Sequence, residues 1–397
     1  MPEATSRPGQ HEAASHPDPF EIDSLKHAAR SDLASLARSS IELILELQDS
    51  SGAYPASPTF SAYRGYSWFR DGAFIADGVS AAGEENSASR FFDWCYRILT
   101  SREQHVLEIV ARAGAGSRVA DGEMLPTRFT VAGEDGADEW WDFQLDGYGT
   151  WLWAVAEHAK RHRLGLARWR RAIELTVDYL IVSWQRPCFD WWEESADKVH
   201  VSTIGCIAAG LDAIVRSGLL DGERQGSARA AVAAIKLEVE QRGLSDGHLV
   251  KWLGSAEVDA SLLATVYPLG VFPASESIGA RTIAAVDEEL NFDGGVHRYL
   301  ADTFFGGGQW PLLSCMLGLA YSAAGDRDSA FRQLEWAAGT AGADGAMPEQ
   351  VAGHLLDASM TAEWVERWGP VAKPLLWSHA MYVRLAVELG VIEGVRA

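Results

Sequence analysis

"YRGYSWFRDGAF", residues 63–74, changes character half-way along. Its first part crowds Tyr63, Tyr66 and Trp68 around Arg64. From Arg70 onward, apolar residues recur at helical spacing to about residue 82, an amphipathic helical segment. The polar-aromatic residues then stand where a loop enters a helix, a place where function concentrates. Asp71 there could simply complement the helix dipole. Arg70 beside it adds donors to acceptors, a combination suited to vicinal hydroxyls.

Outward from this stretch the same helical period dominates. Amphipathic segments are expected near 24–48, 70–82, 87–112, 144–163, 167–184, 200–218, 224–242, 257–269, 277–289, 308–324, 326–340 and 375–389. Gly and Pro punctuate the gaps, as in "DSSGAYPASP" (49–58), "GDRD" (325–328) and "ERWGPVAKP" (366–374). No strand alternation competes. About twelve helices without an internal linker predict an all-α toroid of paired helices, six inside and six outside. An irregular bundle or a solenoid is the alternative, and a solenoid would carry a repeat period that is not visible. Residues 1–22, rich in Pro, Ser, His and Glu, read as a disordered leader, with 23–397 as the single barrel domain.

Composition narrows the function. Among 397 residues, 34 Lys+Arg face 55 Asp+Glu, a net charge of -21. Nucleic-acid binding needs clustered basic residues, and none occur. Sixteen Trp are an excess. They serve either as large core plugs or as faces on which sugar C–H groups stack beside fixed polar partners. Cys95, Cys188, Cys206 and Cys315 lie far apart and read as buried free thiols. With no apolar leader and no run of membrane-spanning length, a cytoplasmic protein without membrane contact is expected.

Four more stretches could carry chemistry. "DEWWDFQLDGYG" (138–149) sets Trp140 and Trp141 beside Gln144 and Asp146. "CFDWWEESADKVHVST" (188–203) sets Glu193 and Glu194 after Trp192. A carboxyl against indole rings is desolvated, which raises its pKa toward that of a general acid; a solvated acidic helix end is the plain alternative. "HRYLADTFFGGGQWPL" (297–312) gathers Arg298, Tyr299, Phe304, Phe305 and Trp310 around three glycines that lack the Lys-Ser/Thr end of a phosphate loop. In "GADGAMPEQV" (342–351), Glu349 sits in a Gly/Ala/Pro loop as a candidate second carboxylate. His158 and His162 are four apart, but "EHAKRHRLGLARWRR" (157–171) reads as a basic surface face with nothing to complete a metal set.

Taken in order, these stretches resemble glycoside hydrolase family 15, the glucoamylase family, over about 25–390, closest to its short intracellular isomaltose-hydrolysing members. "YSWFRD" is similar to the family's Tyr-x-Trp-x-Arg-Asp motif, which implies that Arg70 and Asp71 grip the terminal glucose. "DWWEE" is similar to Asp-x-Trp-Glu-Glu, implying Glu193 as general acid and Glu194 as a leaving-side contact. "GAMPEQ" implies Glu349 as general base, and "RYLADTFFGGGQW" implies Arg298 and Trp310 as sugar contacts. "WSHA" (377–380) is similar to the closing helix. The resemblance implies an (α/α)6 barrel, inversion with separate acid and base carboxyls, and no metal or cofactor.

Two departures from that pattern matter. The register that usually holds Tyr here holds Arg64, as though Gly65 were inserted; Tyr63 is expected to reach the base instead. The family's Tyr-Tyr is Phe304-Phe305, which leaves the Tyr63 hydroxyl less restrained and predicts a pH–rate profile unlike a two-carboxylate bell. The expected substrate is a short α-glucoside, α-1,6-linked isomaltose first, maltodextrin or trehalose as alternatives, with glucose as product. A non-catalytic sugar-binding protein is the reading from another class. Retention of both carboxyls argues against it. A sugar epimerase would need paired His, and only His379 lies in a matching stretch. Oligomeric state is not legible.

Overall fold

The computed structural model describes residues 19–137, 140 and 143–395, with side chains from residue 30 onward. Fourteen α-helices follow in chain order: α1 Pro19–Leu47, α2 Phe69–Ala81, α3 Glu85–Ser101, α4 Glu103–Gly114, α5 Asp146–His162, α6 Arg170–Ser183, α7 Val201–Ser217, α8 Gly222–Arg242, α9 Leu262–Val266, α10 Ser277–Leu290, α11 Pro311–Ala323, α12 Arg327–Gly339, α13 Thr361–Trp368 and α14 Leu376–Glu388. The strands are three short antiparallel pairs in the connections.

Helices α2, α5, α7, α9, α11 and α14 pack successively and close into a ring, with α14 returning to α2. Helices α1, α3, α6, α8, α10 and α12 pack around it. This is the expected (α/α)6 barrel, a single helical toroid. All thirteen residues of α2 are buried, its charged Arg70 and Asp77 being paired with Asp146 and with Arg161 and Arg384. Where α5 meets α7 the backbones approach closely: a Cβ on Gly210 would lie 2.3 Å from the Gly149 carbonyl oxygen. No residue but glycine fits there. Local signals bound the helices. Asp221 and Asp326 cap α8 and α12 by accepting the N–H of Arg224 and Ser329. Gly218, at φ 70°, ends α7.

Several expectations are corrected. Helix α1 begins at Pro19, inside the stretch 1–22 expected to be disordered, because proline suits a first helical turn. Residues 1–18 lie outside the described residues. The segment 87–112 breaks at Arg102 into α3 and α4. The segment 257–269 shrinks to α9; Asp259 accepts the Ser261 N–H in a turn before it, and Pro268 has no N–H with which to continue. Helix α13 occupies a region read as an irregular gap. His158 is wholly buried rather than on the surface, and with His162 it is hydrogen-bonded to Ser80.

The four cysteines are free and buried. Among the described residues no helix is long and apolar enough to cross a membrane. No group of three or more His, Cys, Asp or Glu there is arranged to hold a metal ion.

Candidate active site

One cavity gathers residues from just ahead of, or at the start of, α2, α7, α11 and α14. Inner helices therefore start at this end of the barrel, and the loops entering them build its wall.

At the bottom lie Arg70 and Asp71, 4% and 7% exposed. The Arg70 guanidinium donates to Gln144 Oε1 at 2.6 Å and Asp146 Oδ2 at 2.9 Å. It also stands over the rings of Trp191 and Trp377. Its Nε lies 3.5 Å from Asp71 Oδ2. Burial pushes the Asp71 carboxyl up to about 6 against the pull of Arg70. Asp146, expected to touch sugar, does not line the cavity. It opens α5 fully buried behind Arg70, because α5 is an inner helix and its first side chain turns toward the neighbouring α2.

Glu193 stands in a tight turn at φ +64°, a left-handed conformation that costs an ordinary residue roughly 1–2 kcal/mol. Asp190 enforces it. Its Oδ1 accepts the N–H of Trp192 and of Glu194, both at 2.9 Å, and its carbonyl oxygen accepts the N–H of Glu193. The turn aims the Glu193 carboxyl at Trp68, whose indole Nε1 donates to Oε1 at 2.7 Å. Burial raises the Glu193 pKa, with Arg70 opposing. Behind the turn, buried Lys251 lies 3.1 Å from Asp259, and Asp259 accepts the indole N–H of Trp192 at 2.9 Å. Trp192 thus presents an anchored ring to the cavity.

Glu349 enters from the connection between α12 and α13 and is 2% exposed. The Tyr63 hydroxyl donates to its Oε1 at 2.8 Å, while Oε2 is buried without a hydrogen-bond partner among the described residues. Burial pushes this carboxyl up to about 8, against the hydrogen bond from Tyr63. Tyr63 itself is held well above its ordinary value by burial and by Glu349, so its hydroxyl keeps its proton. The neighbouring Arg64 is exposed and turns away. Gly65, at φ +85°, makes the turn that allows this.

The third wall is Arg298, paired with Asp302 and lying 3.3 Å from Glu194, whose other oxygen accepts from Tyr299. The Arg298 guanidinium stacks over Trp192, Phe304 and Trp310. Phe304 faces the cavity but packs on Phe305, Trp310 and Trp364. The ring neighbours of Tyr63 are Phe60 and Trp68. Trp140 closes a further side, edge-on to Trp68 at 6.3 Å, while Trp141 lies outside the described residues.

Phe60, Trp191, Trp364, Arg367, Trp368 and Trp377 also line the cavity and were not expected there. Trp191 and Trp377 stood inside recognised motifs; the three on α13 had a helical spacing too short to register between glycines and prolines. The assembly is chemically legible. Buried carboxyls of raised pKa face one space beside stacked indoles and bonded guanidiniums, the equipment for proton transfer to and from a polyhydroxylated ring.

The sequence profile of Glycosyl hydrolases family 15 matches residues 31–331. An isomaltose glucohydrolase of Kribbella flavida is 53% identical over 361 residues, covering 91% of this chain and 94% of that protein. A wild-type glycosidase of known structure is 50% identical with a TM-score of 0.90, covering 95% of this chain and 100% of its own. A glycosidase variant in complex with glucose, also 50% identical with the same coverage, has a TM-score of 0.89. The glucoamylase from Saccharomycopsis fibuligera, 15% identical over 91% of this chain and 96% of its own, shares the fold with a TM-score of 0.68. With the profile spanning most of the barrel and a relative more than half identical along nearly the whole of both chains, the protein belongs to glycosyl hydrolases family 15 and is a glycoside hydrolase.

Proposed function

We propose that the protein is an inverting, exo-acting α-glucosidase that releases β-glucose from the non-reducing end of isomaltose and short isomalto-oligosaccharides. The observation that carries this reading is the pair of carboxyls, half-buried Glu193 and buried Glu349, facing one cavity with Tyr63 hydrogen-bonded to the second. Arg70 and Asp71 grip the terminal glucose at the bottom. Glu193 gives its proton to the glycosidic oxygen as the bond breaks, and Glu349 takes a proton from the water that attacks the opposite face of the ring. Tyr63, by donating to Oε1, favours the ionised form of Glu349 and turns its other oxygen toward that water. Trp68, Trp140, Trp192 and Trp310 stack against the sugar rings.

The working state holds one proton on the two carboxyls. Glu349 must be ionised to act as base and Glu193 protonated to act as acid, so Glu349 sets the acid limb of the pH profile and Glu193 the alkaline one. Burial raises both carboxyls, so both limbs are expected above the ordinary carboxylate range. The α-1,6 preference is supported by the 53% identical relative named isomaltose glucohydrolase. Proton NMR of isomaltose with enzyme tests all of this. Early β-glucose supports α-1,6 cleavage with inversion; early α-glucose refutes inversion; no glucose refutes isomaltose as substrate.

A further inference from the structure

Helix α13 is unlike the rest of the barrel. None of its eight residues is fully buried, yet Trp364, Arg367 and Trp368 all line the cavity. It bridges the two sides of the mouth. Trp364 packs edge-on to Phe304 at 4.9 Å, and Phe304 lies under the Arg298 guanidinium that pairs with Glu194. Trp368 packs on Trp140 at 5.9 Å, and Trp140 on Trp68, the donor to Glu193.

Exposure orders the cavity by depth. Arg70, Asp71 and Glu349 are buried, the Glu194 side chain is 37% exposed, and Arg367 is exposed outright. The outer part holds hydrogen-bonding capacity that the protein leaves unused. Arg70 donates to Gln144 and Asp146 and Arg298 to Asp302 and Glu194, whereas Arg367 has no hydrogen bond or ion pair with the described residues. An exposed arginine is usually just solvated. This one lies over the Trp364 and Trp368 rings, 5.6 and 5.9 Å from their centroids, which restricts its rotamers at the cavity mouth. A sugar outside the buried glucose would meet the unpartnered Arg367 guanidinium on one side and aromatic faces on both.

We infer that α13 is the leaving-sugar wall of the site, with Arg367, steadied by Trp364 and Trp368, donating to the hydroxyls of the glucose that departs. This rests on the glucosidase reading above, and the test separates the two. Isomaltose is compared with α-glucosyl fluoride, whose leaving group is a single atom that cannot reach α13. Arg367→Met keeps the stem that packs on the rings and removes the donors. It should lower kcat/KM for isomaltose roughly tenfold to hundredfold, mainly through KM, as loss of a charge-assisted hydrogen bond does. The loss on α-glucosyl fluoride should be at least tenfold smaller, and Arg367→Lys should recover part of the isomaltose loss. Equal losses on the two substrates, or no loss on isomaltose, would overturn the assignment. A wild-type enzyme inactive on the fluoride would instead fell the glucosidase reading, and the inference with it.

Discussion

Glu349→Gln should abolish turnover and shift the stability difference from wild type in the variant's favour as pH rises. The substitution keeps the shape of the side chain and an Oε1 able to accept the Tyr63 hydroxyl, now 2.8 Å away. It removes one ionisation. In the wild type, burial lifts that carboxyl from 4.5 to about 8. Between those values the unfolded chain has released the proton and the folded chain has kept it, so raising the pH draws the wild type toward unfolding. Below about 4.5 both states are protonated and the effect vanishes. The full span sets a ceiling of roughly 5 kcal/mol by linkage. Relaxation around the cavity and its water reduce this to about 2–4 kcal/mol at pH 8. The new amide N–H group, placed where Oε2 has no partner, costs about 1–3 kcal/mol at every pH. The diagnostic is therefore the slope. Urea unfolding of both proteins from pH 4.5 to 8.5 should show the difference moving in favour of the variant as pH rises. A difference that stays constant with pH would refute the argument that burial raises the Glu349 pKa.

Tyr63→Phe removes the 2.8 Å donor that favours ionised Glu349, so the acid limb of kcat/KM should move up by about one pH unit or more and activity fall roughly tenfold to hundredfold; a limb that stays put contradicts the role given to Tyr63. Phe304→Tyr places a second hydroxyl in the same cavity and should bring the profile toward a two-group bell, and an unchanged profile counts against that idea. Asp190→Ala deprives two backbone N–H groups of their acceptor and releases the Glu193 turn, so kcat should fall about a hundredfold with KM little changed, while Asp190→Asn, which keeps an acceptor, recovers most of it. Burial holds His158 down at about 3 and His379 at about 4. The unfolded chain therefore gains protons near 6.5 that the folded chain refuses, and stability present above that pH is lost as it falls. His379→Gln should flatten the acid side of a stability–pH curve, and an unaltered curve would assign the acid loss elsewhere.

The fold was legible where a helix has to be apolar on most sides. Helix α11 advertises its interior place through "PLLSCMLGLA", whereas α2 hides its own behind Arg70, Asp77 and Ser80, which are buried only because Asp146, Arg161 and Arg384 meet them there. What failed to register was local competition with the period. Arg102 interrupts a pattern that reads continuously from 87 to 112, since α3 and α4 turn different faces inward on either side of it. Helix α9 keeps only five residues of a longer apolar segment, because Asp259 is committed to Lys251 and Ser261 rather than to a helical turn. Helix α13 has no buried stripe at all, so its period carries no information about a core it does not enter.

The site was legible as residue types and only partly as roles. Arg, Asp and paired Glu beside Trp announce sugar chemistry, but depth in the cavity decides which carboxyl touches sugar and which holds its neighbour. Asp71 and Asp146 look equivalent in sequence, each opening an inner helix. Yet α2 presents Asp71 to the cavity, while α5 buries Asp146 against Arg70 from behind. The difference arises from ring closure, since the same guanidinium is met from two sides by adjacent inner helices. Tyr63 and Glu349 make the same point across 286 positions. Neither predicts the other from spacing, and both come together because α14 returns to α2 and shuts the barrel between them. The general base is therefore tied to the closure of the fold itself. A loosened α2–α14 seam should cost the Tyr63–Glu349 hydrogen bond before it disturbs Glu193, whose turn is fixed locally by Asp190.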